Sequence, residues 1–278
     1  MSAQDWLRLE RGEAPLIVSI PHAGTRIPEA IEAGLASPWL ARKDADWWID
    51  KLYAFAAELG ATLIRTEISR TVIDVNRDPS GVSLYPGQAS TELCPTTTFD
   101  GEPLWREGAA PSAGEIESRR AAWFDPYHAA LKGEIERLGG GRRPTVLFEA
   151  HSIRSEIPRL FEGTLPQFNI GTNSGASCAP ALSSAVEEVC AESGFRHVRD
   201  GRFKGGWTTR SYGDPAGGVH AIQLELACRG YMIEPSIPDD NNWPSPYDPV
   251  RAAPMQRHLT AILQASLAFA EGQAQPAR

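Results

Sequence analysis

The sequence predicts an α/β protein, a three-layer α/β/α sandwich around a central mixed sheet, on three observations. Short apolar runs rich in β-branched residues alternate with longer stretches whose apolar residues recur at helical spacing. No internal repeat or low-complexity linker interrupts the 278 residues, so a single domain over residues 1–278 is expected. Polar side chains also gather at the C-terminal ends of the apolar runs, where open α/β sheets bind their ligands.

The elements follow in order. "PLIVSI" (15–20) reads as a buried strand, closed by Pro21, His22 and Gly24 in a turn. "DWWIDKLYAFAAELG" (46–60) reads as a helix, with Trp47, Leu52 (or Ile49), Phe55 and Leu59 near helical spacing and Gly60 as its stop. "ATLIRT" (61–66) and "TVIDV" (71–75) are short and β-branched, as strands are. The 80s to 110s are rich in Pro, Gly and Thr, which suggests a long ordered excursion over the functional face. Residues 113–138 read as helix broken near Pro126, and "GGG" (139–141) then leads into a strand at 145–151. A helix is expected over 180–194, with Leu182, Val186 and Val189 on one face, and a strand over 218–227. A final core-facing helix spans 253–272 through Met255, Leu259, Ile262, Leu263 and Leu267, before a frayed tail, 273–278.

Composition narrows the function. The net charge is −8 with no basic run, which argues against a nucleic-acid surface. Only Lys43, Lys51, Lys132 and Lys204 are lysines among 27 basic residues. Arginine's rigid fork suits carboxylates and phosphates, although base composition also enriches it. The N-terminal residues carry charges throughout and do not read as a signal peptide, and no apolar run is long enough to span a bilayer. Cys94, Cys178, Cys190 and Cys228 are scattered, without a C-x-x-C pair, and read as free thiols in a reducing cytoplasm.

The stretch "TVLFEAHSIRS" (145–155) runs from apolar residues straight into Glu149, His151, Ser152 and Arg154. Burying such groups unpaired costs about 1–3 kcal/mol each, so they need partners or a ligand. His22 follows one strand and His151 ends another, and two imidazoles at strand ends can converge on one metal ion. A third ligand is then needed, commonly a carboxylate or another His. Asp46 opens the helix at 46–60 and is a candidate, although a helix cap is a common job for Asp; Asp50, one turn on, competes. His128, His197, His220 and His258 read more simply as structural. Glu225 lies inside an apolar strand, where it serves either as a general base near a metal-activated water or as half of a buried ion pair. Asn76 and Arg77 end "TVIDVNR" and could form a carboxylate receptor, or Arg77 could pair with Asp74 or Asp78. Sequences for a G-x-S-x-G nucleophile elbow, a phosphate loop, a dinucleotide fingerprint and an H-E-x-x-H helix are absent.

The segments "DVNR" (74–77), "EAHS" (149–152) and "LEL" (224–226) together resemble the zinc carboxypeptidases, though the H-x-x-E motif of that group is missing at His22. That likeness implies a zinc-carboxypeptidase-like (phosphorylase/hydrolase-like) sheet, with His151 as metal ligand, Asn76 and Arg77 as carboxylate receptor and Glu225 as base. It favours Asp46 as the remaining ligand beside His22. A fuller resemblance, to the N-formylglutamate amidohydrolase family, runs through "SIPHAGTRIP" (19–28), "DADWWIDKLY" (44–53), "SRTVIDVNRDPSG" (69–81), "LCPTTTFDGEPLW" (93–105), "AHSIRSEIPRLFEG" (150–163) and "GRFKGGWTTRSYGDPAGGVHAIQLELA" (201–227). It implies water attack on the formyl amide of N-formyl-L-glutamate, releasing formate and L-glutamate in histidine breakdown. It also implies one divalent metal, expected to be zinc, that polarises the formyl oxygen and activates the water. A small anionic substrate with two carboxylates is expected, one held by Asn76 and Arg77, the other by Arg154 or Arg210. Family members carry Asp where Glu149 stands and His where Trp48 and Ser211 stand. Glu149 shares a strand face with His151 and is expected to orient it. The changes at Trp48 and Ser211 leave room for another acidic N-acyl amino acid as substrate.

Overall fold

The computed structural model describes residues 5–139 and 143–272, and it centres on one seven-stranded sheet. The strands are β1 (Leu7–Glu10), β2 (Leu16–Ile20), β3 (Thr62–Thr66), β4 (Thr145–Ile153), β5 (Phe168–Gly171), β6 (His197–Arg199) and β7 (Val219–Ala227). Their order across the sheet is β1-β3-β2-β4-β7-β5-β6. The central pairs, β3 with β2, β2 with β4 and β4 with β7, are parallel, as is β5 with β6. The pairs β1 with β3 and β5 with β7 are antiparallel, so the sheet is mixed, as expected.

Helices cover both faces. In chain order they are α1 (Glu29–Glu32), α2 (Leu40–Lys43), α3 (Ile49–Leu52), α4 (Ala113–Arg119), α5 (Asp125–Leu138), α6 (Pro180–Glu192), α7 (Trp207–Tyr212) and α8 (Pro249–Gly272). Alternation along the central strands sends side chains to opposite layers. Leu16, Val18, Val146, Phe148, Ile222 and Leu224 pack against Leu182 and Val186 of α6 and Met255, Leu259 and Ile262 of α8. Ile17, Leu147 and Ala221 face the other way, towards Tyr127, Leu131 and Ile135 of α5. Every side chain of β4 is buried, which is why its apolar run reads as continuous rather than alternating.

Three expected elements differ. The helix expected over 46–60 is broken: Trp48 has φ 63°, α3 covers only Ile49–Leu52, and a 3-10 turn covers Ala54–Leu59. Left-handed backbone at a bulky residue costs on the order of 1–3 kcal/mol. Here the Trp48 indole N–H donates to Ser245 O at 2.9 Å and the Lys51 ammonium lies over the ring, holding the kink. Residues 71–75 are not a strand. They cannot join the sheet beside β3, because β1 and β2 already occupy both of its edges. Their buried backbone is instead satisfied by side chains and loops: Arg119 donates to Val72 O, His128 Nε2 to Val75 O, and Asp74 N to Leu93 O. Residues 113–138 do not break at Pro126. A π-turn at Arg120–Phe124 joins α4 to α5 and leaves Pro126 in the first turn of α5, where a missing N–H is tolerated.

The short strands β1, β5 and β6 and the helix α7 carried too little periodicity to be expected. The glycine run beyond Gly139 and the tail from residue 273 lie outside the described residues. The four cysteines are buried and unpaired. Among the described residues no helix is long and apolar enough to cross a membrane.

Candidate active site

The central strands release their side chains into one cavity. His22 enters just past β2, His151 from β4 and Glu225 from β7, where His151 and Glu225 are register partners. Asp46 arrives from the turn between α2 and α3, its backbone N–H donating to His22 O at 3.0 Å. One ligand atom from each of His22, Asp46 and His151 lies within 4.8 Å of the others, and all three residues are buried. Asp46 does not cap a helix. Its Oδ2 lies 3.1 Å from His151 Nδ1 and 3.8 Å from His22 Nδ1, and it accepts from Ser152 N at 3.1 Å. Asp50 is outside the cluster, paired with Arg65.

Partners on the far side of each ring define its chemistry. Asp74 can only accept, so His22 Nε2–H donates to it, at 2.7 Å. Arg70 can only donate, so His22 Nδ1, 3.2 Å away, carries a bare lone pair. Burial, helped by the Arg70 charge, holds the His22 pKa down at about 4. That neutral tautomer is the form a metal requires. Burial opposes charge on His151 as well, but Asp46 and Glu149 beside it push its pKa up to about 10. Its Nε2 lies 2.9 Å from Asn76 Nδ2 and 3.4 Å from Glu149 Oε2. Those contacts are alternatives: a bare Nε2 accepts from Asn76, and a protonated Nε2 turns to Glu149. Both Glu149 oxygens are buried and have no hydrogen-bond partner among the described residues. A cation at Nδ1 would leave the ring proton on Nε2 and supply the donor that Glu149 lacks. The donor set, two imidazoles and a carboxylate backed by Asp74 and Glu149, fits a divalent metal such as zinc.

Glu225 accepts no side-chain hydrogen bond among the described residues and faces the same cavity. Burial, reinforced by the Asp46 charge, pushes its pKa up to about 7, against His151, Arg70 and Arg77. A carboxyl group poised there can both take and return a proton near neutrality.

Asn76 and Arg77 both line the cavity, on the buried segment 69–77. The Asn76 amide is engaged at both ends, since its Oδ1 accepts from Thr208 N at 2.9 Å and its Nδ2 meets His151. Gly206 packs so close to that amide that a Cβ there would collide with it. Arg77 donates to Thr91 O, Thr91 Oγ1 and Asn76 O, and lies 3.7 Å from Asp74. Arg154 and Arg210 lie elsewhere. Arg154 Nη2 meets Asp100 Oδ2 at 2.6 Å and Asp44 Oδ1 at 3.4 Å, and Arg210 donates to Gly205 O and Leu84 O; neither lines the cavity. Trp48 and Ser211 do not line it either.

Sequence reasoning assigned no role to Arg70 or Arg202, and gave Asp74 only a possible pairing with Arg77. Arg70 sits on the cavity with Nη2 2.6 Å from Asp74 Oδ2, an i,i+4 pair that a strand over 71–75 hides. The excursion after residue 78 borders the cavity through Tyr85, Ala89, Ser90 and Thr91.

Residues 14–232 match the family described as N-formylglutamate amidohydrolase. An N-formylglutamate deformylase of Pseudomonas putida is 47% identical over 264 residues, covering 95% of this chain and 96% of its own. One from Pseudomonas aeruginosa is 50% identical over 229 residues, covering 82% and 86%. The crystal structure of an N-formylglutamate amidohydrolase from Ralstonia eutropha superposes with a TM-score of 0.77 at 23% identity, covering 96% of this chain and 98% of that one, and so shares the fold. The family's match over most of the chain and relatives near half identity lead to one conclusion: this protein is an amidohydrolase belonging to the N-formylglutamate amidohydrolase family.

Proposed function

We propose that the protein hydrolyses the formyl amide of N-formyl-L-glutamate to formate and L-glutamate, using one divalent metal, zinc by the chemistry of its ligands. The observation that carries this reading is the single cavity in which the His22–Asp46–His151 cluster stands beside Glu225, with arginines on its walls. The names of the two Pseudomonas relatives support the substrate. Neither Trp48 nor Ser211 lines the cavity, so their departure from the family pattern does not argue for another substrate.

Roles follow from position. His22, Asp46 and His151 would hold the metal, with Asp74 and Glu149 fixing the two rings. A zinc ion so held supplies Lewis-acid polarisation and lowers the pKa of water to about 7. Glu225 takes the proton of the attacking water and returns it to the amine nitrogen as the C–N bond breaks. Its raised pKa suits both halves of that transfer. Arg70 presents a guanidinium beside His22, where it can stabilise negative charge developing on the formyl oxygen. Arg77 receives a substrate carboxylate, and Asn76 acts chiefly by holding the start of α7.

The test is formate release from N-formyl-L-glutamate with chelator, then with zinc restored, in the parent chain and in Glu225→Gln. Turnover should require the metal and fall by at least about 100-fold in the variant, the usual worth of a general base. The variant should keep the parent's metal content. Undiminished turnover in Glu225→Gln would remove the residue from the base role.

A further inference from the structure

Three arginines line the active cavity, and they differ in how their charge is met. Arg70 is paired with Asp74 at 2.6 Å, and Arg77 lies 3.7 Å from the same carboxylate. Arg202 has no carboxylate partner among the described residues. Its Nε donates to Leu160 O at 2.8 Å and its Nη2 to Ala89 O at 2.8 Å. Nη1 makes no protein hydrogen bond among the described residues. The guanidinium also lies over two aromatic rings, 5.1 Å from the Tyr85 ring centre and 5.3 Å from that of Phe203. Two backbone carbonyls and two aromatic faces fix its plane without neutralising it. A planar cation so fixed and uncompensated is pre-organised for a bidentate carboxylate. Burial and the Arg77 charge lower its pKa, against the opposing pull of Tyr85 and Glu225.

We infer that Arg202 is the specificity determinant of this site: it receives the side-chain carboxylate of the N-acyl amino acid, while Arg77 takes the α-carboxylate. The inference rests on the proposed reaction and sharpens it to N-acyl dicarboxylic amino acids. The two residues reported above as lying off the cavity, Arg154 and Arg210, leave this job unfilled. Arg202 fills it from the loop between β6 and α7. The carbonyls that hold it belong to two further loops, so the specificity subsite is assembled from three separate segments.

The experiment measures kcat and KM of the metal-loaded chain on N-formyl-L-glutamate and on N-formyl-L-glutamine, its neutral isostere, in the parent, Arg202→Gln and Arg202→Lys. Calorimetric titration with glutarate, a free dicarboxylate, accompanies it. The parent should prefer glutamate in kcat/KM by about 100-fold, the scale of a lost charge-assisted hydrogen-bond pair. Arg202→Gln should collapse that ratio to within a few-fold, chiefly through KM for the glutamate substrate. Arg202→Lys, which keeps the charge but not the fork, should fall between. An unchanged ratio, or an equal loss on both substrates, would make Arg202 a clamp and overturn the inference. If the parent turns over neither substrate, the reaction assignment fails and glutarate decides. Binding weakened at least tenfold in Arg202→Gln then upholds the subsite. Equal binding, or none to the parent, overturns it.

Discussion

The cavity is built from two regions held by different means. The ends of β4 and β7 deliver His151 and Glu225 from neighbouring positions on a parallel ladder, where regular backbone hydrogen bonds fix their spacing. The segment 69–77 delivers Arg70, Asp74, Asn76 and Arg77 from irregular buried backbone, fixed by single side chains reaching in from elsewhere. A ladder spreads its support over many equivalent bonds, so loss of one side chain is absorbed. The buried segment has no such redundancy, and its functional groups also hold one another. Stability and catalysis should therefore be separable on the strands and inseparable on the segment.

Asp74 gives the largest expected effect. It accepts from His22, Arg70 and Asn76 N, and although burial opposes it, Arg77, His22 and Arg70 hold its carboxyl well below the usual carboxylate range. Asp74→Ala leaves the buried Arg70 charge without its nearest partner, and should cost about 3 kcal/mol by urea unfolding. Zinc affinity should fall together with stability, by about 10–100-fold, because His22 loses the group that orients it. Wild-type metal affinity in this variant would break the link between the two effects.

His128 tests the support beneath the same segment. Its Nε2–H donates to Val75 O, and burial holds its pKa down at about 4. A ring harder to protonate when folded contributes stability that is complete above its unfolded value of about 6.5. That stability is lost as pH falls towards about 4, by about 3 kcal/mol in total. In His128→Gln, which keeps a donor, unfolding free energy should decline less steeply over that interval. Parallel pH profiles for parent and variant would show that another group carries the acid sensitivity.

Ile222→Val, in the middle of β7, should have the smallest effect. The side chain is buried in the layer facing α6 and α8, away from the cavity. Loss of one methylene should cost about 1 kcal/mol and leave kcat and KM on N-formyl-L-glutamate as they were. A shift in KM comparable to that of Asp74→Ala would mean that the ladder does not buffer the site, and would erase the contrast.

The same contrast explains what could be read in advance. The runs at 15–20, 145–151 and 218–227 are buried strands flanked by polar residues, and a buried parallel strand has a local signature. His22, His151 and Glu225 were legible as a group because each is a polar residue in or just after such a run. Residues 71–75 carry the same β-branched signature and form no strand, because strand formation needs a free edge and none is left beside β3. The i,i+4 relation of Arg70 to Asp74 was present in the sequence, but it has meaning only on curled backbone. Arg202 appeared only within the family-like segment 201–227, with no sign that Leu160 and Ala89 would hold it over a cavity.

The sequence by itself determined the alternation of strands and helices, the family, and which residues could hold a metal. These are properties of local pattern and of residue chemistry, and both survive without knowledge of neighbours. Only the tertiary structure decided that Asp46 rather than Asp50 joins the two histidines, that Asp74 stands behind the His22 ring, and that Arg202 rather than Arg154 or Arg210 faces the cavity. Each of those choices depends on which charges meet across 24 to 105 residues of chain or more, as in the pairing of Asp46 with His22 and His151. Coulomb interaction and desolvation act through distance in space, and distance along the chain does not record it.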